Sequence, residues 1–136
     1  MNEATVRRFY DELWNRWRLE VADEIVSTTL RFRGSLGTVC EGRDEFKRYI
    51  EGVRAAFPDW HNRIDEILAS GDRVVTRMTW TGTHRGTLAG IEPTGARIEY
   101  VGAAFFRFED GLIEEAWVVG DTQELWRALG ALSARV

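Results

Sequence analysis

From Gly71 to Asp121 the chain carries three long runs of strand-forming residues. They are cut by two turn signals, Pro93-Thr94-Gly95 and Glu109-Asp110-Gly111. Runs of β-branched and aromatic residues bounded by Gly, Pro and Asp predict a meandering antiparallel sheet. Arg73 to His84 reads as one strand, with Val74, Thr76, Met78, Trp80, Gly82 and His84 on one face. Arg97 to Phe108 reads as the next, with Ile98, Tyr100, Gly102, Ala104, Phe106 and Phe108 together. Leu112 to Val119 returns through Asp110-Gly111, and strict alternation puts Ile113, Glu115, Trp117 and Val119 on one face.

The residues before this stretch are mostly helical in pattern. Val6, Phe9, Tyr10, Leu13, Trp14 and Trp17 recur at three- and four-residue spacing, which predicts an amphipathic helix over 3–18. Such a stripe packs on a sheet, and Tyr10, Trp14 and Trp17 are also placed to line a cavity. A short second helix follows at 21–26, then a strand at Leu30–Arg33 and a loop from Gly34 to Gly42. Phe46, Tyr49, Ile50 and Val53 mark a helix over 44–56, which Pro58 stops. Trp60 to Ala69 reads as a strand joined to Arg73 by a Ser70-Gly71-Asp72 turn. Asp121 begins a last helix carrying Leu125, Trp126 and Leu129. The order predicts an α+β domain, helices layered on a curved, mainly antiparallel sheet. A chain of 136 residues is expected to form one domain, 1–136.

Composition narrows the function classes. Net charge is -4 with both signs interspersed, which argues against nucleic acid as a partner. No apolar run approaches the ~20 residues that span a bilayer, and Met1-Asn2-Glu3 opens no signal peptide. We therefore expect a cytoplasmic protein with no membrane partner. Cys40 is the one cysteine and reads as a packing residue. The two histidines and single cysteine show no metal-ligand spacing, and there is no phosphate or nucleotide loop. We expect neither metal nor cofactor. Six tryptophans are many for this length, and aromatics of that size fill a core, a pocket or an interface.

Three titratable residues are candidates for chemistry. Asp121, where the last strand leaves the sheet, is either a general acid/base in an apolar pocket or the cap of the last helix. His84 is either a second proton carrier or a structural histidine beside the Gly82 and Gly86 bends. Glu115 on an apolar face either pairs with an arginine or works in the pocket. The ligand would lie between Trp14, Trp60, Trp80, Tyr100, Phe106 and Trp117.

Several stretches carry a family resemblance. They are Phe57-Pro58-Asp59, Gly71-Asp72-Arg73-Val74-Val75, Gly82-Thr83-His84-Arg85-Gly86, Pro93-Thr94-Gly95, Asp110-Gly111-Leu112-Ile113-Glu114-Glu115-Ala116-Trp117, then Asp121 and Leu129-Gly130. In order and spacing the chain resembles the SnoaL-like polyketide cyclases of the nuclear transport factor 2-like superfamily. The resemblance implies a conical curved sheet, a cystatin-like α+β barrel, wrapped round a helix-lined pocket. It implies a homodimer through the sheet's outer face. It also implies cofactor-independent ring closure of a polyketide-like substrate by intramolecular aldol condensation, with Asp121 as acid/base. Where the family often has Trp-Asp-x-x-Asp, this chain has Trp117-Val118-Val119-Gly120-Asp121, so Val118 replaces the first acid. Where some cyclases have a histidine on the preceding strand, this chain has Ala104. Isomerisation, epoxide opening, and non-catalytic binding or assembly are alternatives on the same scaffold.

Overall fold

The computed structural model describes residues 2–131. Its order is α1 (Asn2–Arg8), a π-helical stretch (Phe9–Trp14), a 3₁₀ turn (Leu19–Val21), α2 (Ala22–Ile25), β1 (Val26–Arg33), β2 (Val39–Glu41), α3 (Arg43–Ala56), β3 (His61–Ser70), β4 (Arg73–Thr83), β5 (Arg97–Glu109), β6 (Leu112–Gly120) and α4 (Thr122–Ala128). The six strands form one sheet in the order β2-β1-β6-β5-β4-β3. All neighbours are antiparallel except β1 and β6, which run parallel.

The expected barrel is not formed. The sheet is open, with β2 and β3 at its two edges and no ladder between them. Closure needs the two edge strands to pair, with the strands tilted and their register staggered. β2, three residues long, pairs with β1 alone and makes no ladder with the ten-residue β3. What remains is an α+β fold in which a curved sheet packs against helices.

The first helix is also shorter than the stripe suggests. It widens into a π turn at Phe9, with Asn15 N–H donating to Tyr10 O at 2.8 Å, and ends before Trp17, whose φ is +56°. Asn15 is pulled away from helical use because its side chain bonds the backbone of β3. Its Nδ2 donates to Asn62 O at 2.9 Å, and its Oδ1 accepts from Asn62 N–H at 2.8 Å. These bonds tie the end of the helix to the sheet.

Helix α1, the π stretch and α3 cover the inner sheet face. Phe9 stacks on Phe46 with centroids 5.8 Å apart and meets Phe106 edge-on at 5.1 Å. Cys40 is buried in the same core, where desolvation pushes its thiol up to about 11. The alternation read for β4 and β5 holds: Val74, Met78, Trp80, Ile98, Tyr100, Ala104 and Phe106 are all buried on the inner side.

β6 departs from strict alternation. Arg107 pairs with Glu115, but Phe108 pairs with Ile113, so Glu114 is an extra residue in a β-bulge. The bulge moves every later side chain to the other face. Ala116 and Val118 point inwards and are buried, whereas Trp117 and Val119 are exposed on the outer face. The two-residue turn between β5 and β6 has φ +52° at Asp110 and +80° at Gly111. Asp and Gly are the residues that tolerate this left-handed geometry.

Candidate ligand-binding pocket

An apolar cavity lies between the helices and the inner sheet face. The π stretch gives it Phe9, Tyr10 and Trp14, and α3 gives Tyr49 and Val53. The sheet contributes Phe32, Trp80, Tyr100 and Val118. Loop residues Ser35, Leu36, Phe57, Trp60 and Leu88 complete it, with Asn62 of β3 and Leu125 of α4. Its volume is about 60 Å³. That is several times the room one water needs, but well below the roughly 300 Å³ of a typical drug-sized site. A two-ring ligand therefore requires lining side chains to shift. A wider groove of about 350 Å³ lies beside Trp17. It is open to solvent, and Arg54 already covers Trp17 at 5.3 Å.

Every polar group lining the cavity is neutral. Tyr100 Oη and Ser35 Oγ share a hydrogen bond of 2.9 Å. Trp60 Nε1 donates to Asn62 Oδ1 at 3.3 Å, and Asn62 Nδ2 donates to Asn15 Oδ1 at 2.9 Å. Tyr49 lays its ring end over Gly34, where an added Cβ would lie 2.9 Å from Tyr49 Cζ. Tyr10 turns towards Thr76, but Thr76 Oγ1 has no hydrogen bond of acceptable geometry. Burial pushes the Tyr100 phenol up to about 12. Tyr10 and Tyr49 are raised further by the same cause. The phenols are therefore hydrogen-bond donors at neutral pH and not bases.

All three tyrosines of the chain line this cavity, which makes their ionisation a direct readout. Free tyrosine ionises near pH 10. Tyrosinate absorbance at 295 nm should stay absent from the folded protein at about pH 10.5 and appear in guanidinium. Because the folded values are raised, the fold is favoured fully below the unfolded value of about 10. Stability then falls as pH rises towards about 12, since only the unfolded chain ionises. Tyrosinate appearing in the native protein at about pH 10 would show that water reaches the phenols.

Four of the six aromatic residues named from the sequence meet here: Trp14, Trp60, Trp80 and Tyr100. Phe106 lies behind them, edge-on to Phe9 and Tyr10 at 5.1 and 5.9 Å. Trp117 is on the outer face, 38% exposed, with the Arg31 and Arg33 guanidiniums 5.8 and 5.4 Å from its ring. Trp17, also considered for the cavity, lines the outer groove.

None of the three titratable candidates lines the cavity. Asp121 is exposed at the start of α4, and its side chain makes no capping hydrogen bond. Only its backbone is engaged, donating to Val101 O at 2.8 Å and accepting from Glu124 N–H at 3.1 Å. Glu115 faces outwards because of the bulge and lies 3.8 Å from Arg107 Nε. His84 is fully buried behind Phe57, with ring centroids 5.7 Å apart. Its Nδ1 accepts from Thr94 N–H at 3.2 Å and meets Thr94 Oγ1 at 3.0 Å. An accepting Nδ1 places the proton on Nε2, which has no partner. His84 N–H also donates to Ala96 O, and its carbonyl accepts from Gly95 N–H, both at 2.9 Å. It thus closes the base of the loop that carries Leu88.

Ser35 and Asn62 carry no site assignment from the sequence, and Tyr49 is read there only as part of a helix stripe. Asn62 left a faint signal, a polar side chain at an inward position of β3. Ser35 left none, because loop sequence carries no period. Among the described residues no three His, Cys, Asp or Glu side chains stand together. None of the described helices is long and apolar enough to cross a membrane.

A curved sheet covered by helices, with an aromatic cavity between the layers, defines a nuclear transport factor 2-like domain. Residues 4–129 match the SnoaL-like polyketide cyclases, and the chain belongs to that family. AclR from Streptomyces galilaeus, a candidate hydroxylase, is 30% identical with a TM-score of 0.83 over 98% of this chain and 87% of its own. IdmH from Streptomyces antibioticus, a candidate polyketide cyclase, is 27% identical with a TM-score of 0.80 over 93% and 96%. A SnoaL-like protein from a Jannaschia species shares the fold, with a TM-score of 0.88 at 23% identity over 97% and 93%. A search of the curated proteins finds no match.

Proposed function

We propose that the protein binds a hydrophobic, oxygenated, polyketide-like small molecule in this cavity and promotes proton transfer next to a carbonyl. Ring closure or isomerisation through an enolate fits best, with no cofactor. The observation that carries the reading is an aromatic cavity whose only polar atoms are neutral donors and acceptors. Such donors stabilise negative charge as it develops on a carbonyl oxygen. In this reading Tyr100, held by Ser35 at 2.9 Å, is the catalytic donor. Trp14, Trp60 and Trp80 hold the flat part of the ligand.

Asp121 is the proposed proton acceptor. It follows Gly120, whose missing side chain leaves room for Tyr100, Trp80 and Ser35 within 3.4 Å of a built Cβ. Its carboxylate is exposed and makes no capping hydrogen bond, so this role requires it to turn to the cavity rim when a ligand binds. His84 and Glu115 are assigned supporting roles: His84 holds the Leu88 loop, and Glu115 pairs with Arg107.

The test uses 1-tetralone, a flat ketone, and follows α-hydrogen exchange in D₂O by NMR. The wild type should accelerate exchange over buffer. Tyr100→Phe should lose about a hundredfold of that acceleration, and Asp121→Asn should lose turnover while binding is kept. Acceleration unchanged in Asp121→Asn removes Asp121 from the mechanism. Binding without any acceleration leaves the second reading, a small-molecule-binding domain, which the absence of a carboxylate from the cavity lining favours.

We also propose a homodimer through the outer sheet face. Leu68, Val75, Phe105 and Trp117 are successive cross-strand neighbours there, and Val101 and Val119 extend the exposed apolar surface. A contiguous patch of this kind marks an interaction surface. Phe105→Glu should convert a dimer to a folded monomer in sedimentation equilibrium. A wild type that is monomeric at about 100 μM, well above a typical micromolar dissociation constant, contradicts the proposal.

A further inference from the structure

One fully buried donor in the cavity wall has no partner. Trp14 is 4% exposed and lines the cavity, and its Nε1 is buried without a hydrogen-bond partner. Two of the neighbouring polar groups are engaged: Trp60 Nε1 with Asn62, and Tyr100 with Ser35. An unpaired buried N–H carries its full desolvation penalty. A phenylalanine would contribute most of the same packing without that penalty, so the indole N–H is explained by an acceptor that arrives from outside the chain.

The indole is also held in place before any ligand comes. It meets Phe46 at 6.1 Å, Tyr49 at 6.2 Å and Trp17 at 6.4 Å, each with the ring planes steeply inclined. Trp14 closes the π-helical stretch Phe9–Trp14. Local π turns of this kind occur often at functional sites.

The chemistry of the acceptor follows from the lining. No Asp, Glu, Lys, Arg or His lines the cavity, so an anionic oxygen would be buried without a counter-charge, which is costly. An uncharged oxygen has no such difficulty. A carbonyl oxygen has two lone pairs and accepts two donors. Trp14 and Tyr100 both line the cavity, so two donors are available to such an oxygen.

We propose that Trp14 Nε1–H donates to an uncharged carbonyl-type oxygen of the ligand and selects ketones over the matching hydrocarbons. This rests on the reading that the cavity binds a hydrophobic oxygenated molecule. It adds a specificity-determining residue and excludes ligands that bury a carboxylate there.

The test compares 1-tetralone with tetralin, which lacks the oxygen, by titration calorimetry on the wild type and Trp14→Phe. Trp14→Phe should weaken 1-tetralone about tenfold, the worth of one buried hydrogen bond, and tetralin less than about twofold. In the wild type, 1-tetralone should move the Trp14 indole N–H resonance downfield and tetralin should not. Equal weakening of both probes, or no weakening of either, overturns the proposal and leaves the cavity as the binding site. A wild type that binds neither probe overturns the cavity reading together with it. If Trp14→Phe does not fold, the indole resonance decides alone: a downfield shift with the ketone supports the donor role, and no shift overturns it.

Discussion

Gly102→Ala is expected to destabilise the protein by about 3 kcal/mol or more, lowering its melting temperature by roughly 10 °C. Gly102 lies on β5 directly opposite Gly120 on β6. A Cβ built on Gly102 would collide with the Val119 carbonyl oxygen and would stand 2.7 Å from Gly120 Cα and 2.5 Å from the Trp80 ring. Two of these three are backbone atoms in the middle of the sheet, so relief requires the β5–β6 ladder to separate. The small-residue run Gly102-Ala103-Ala104 thus leaves no vacant space. It admits the edge of Trp80. Circular dichroism melts of wild type and variant check this, and an unchanged melting temperature would mean that the β5–β6 pairing is looser than described.

Trp80→Ala is expected to cost about 3–5 kcal/mol, the usual range for removing a large buried aromatic. Trp80 is almost completely buried. Its ring lies 5.1 Å from Tyr100 and occupies the slot made by Gly102 and Gly120. Removing it enlarges the cavity as well as weakening the core. The double variant separates the two origins of the Gly102 effect. If the Trp80 ring were the main obstacle, Trp80→Ala would rescue Gly102→Ala. Because the Val119 carbonyl stays in place, we expect no rescue: Gly102→Ala should remain severely destabilising in the Trp80→Ala background. Denaturant titration of the four proteins, as a double-mutant cycle, gives the coupling directly. A rescue that restores Trp80→Ala stability would contradict the backbone clash.

The sheet strands were legible where apolar and polar residues alternate and where turns carry Gly, Pro or Asp. β4 and β5 met both conditions. β6 met neither on its second half, because Ala116, Trp117, Val118 and Val119 are all apolar and give no contrast between faces. The bulge at Glu114 was therefore invisible, and with it the outward turn of Glu115 and Trp117. Barrel closure was unreadable for a different reason: it depends on whether β2 and β3 meet, and neither strand's own residues encode that. The short β2, with Val39 and Glu41 both exposed, was lost in a loop.

The site divides in the same way. The surplus of tryptophan signalled a cavity, and three of the six residues line it. The acid expected at the end of the last strand lies at the surface, since Asp121 follows Gly120 out of the sheet and keeps only backbone bonds. The polar atoms that the cavity presents come from separate elements: a loop (Ser35), α3 (Tyr49), the π turn (Tyr10, Trp14), the residues around the start of β3 (Trp60, Asn62) and β5 (Tyr100). Helical spacing pointed to Tyr10 and Trp14, but their convergence with Ser35 and Tyr49 exists only once the helices are laid on the sheet.

The central claim is that ligands enter the cavity between the helices and the inner sheet face. The six indole N–H resonances of the ¹⁵N-labelled protein report on it at once, since the tryptophans are divided between inside and outside. On titration with 1-tetralone, Trp14, Trp60 and Trp80 should shift, while Trp17, Trp117 and Trp126, which do not line the cavity, should hold their positions. Shifts confined to Trp17 or Trp117 would place the ligand in the outer groove or on the outer sheet face and contradict the account.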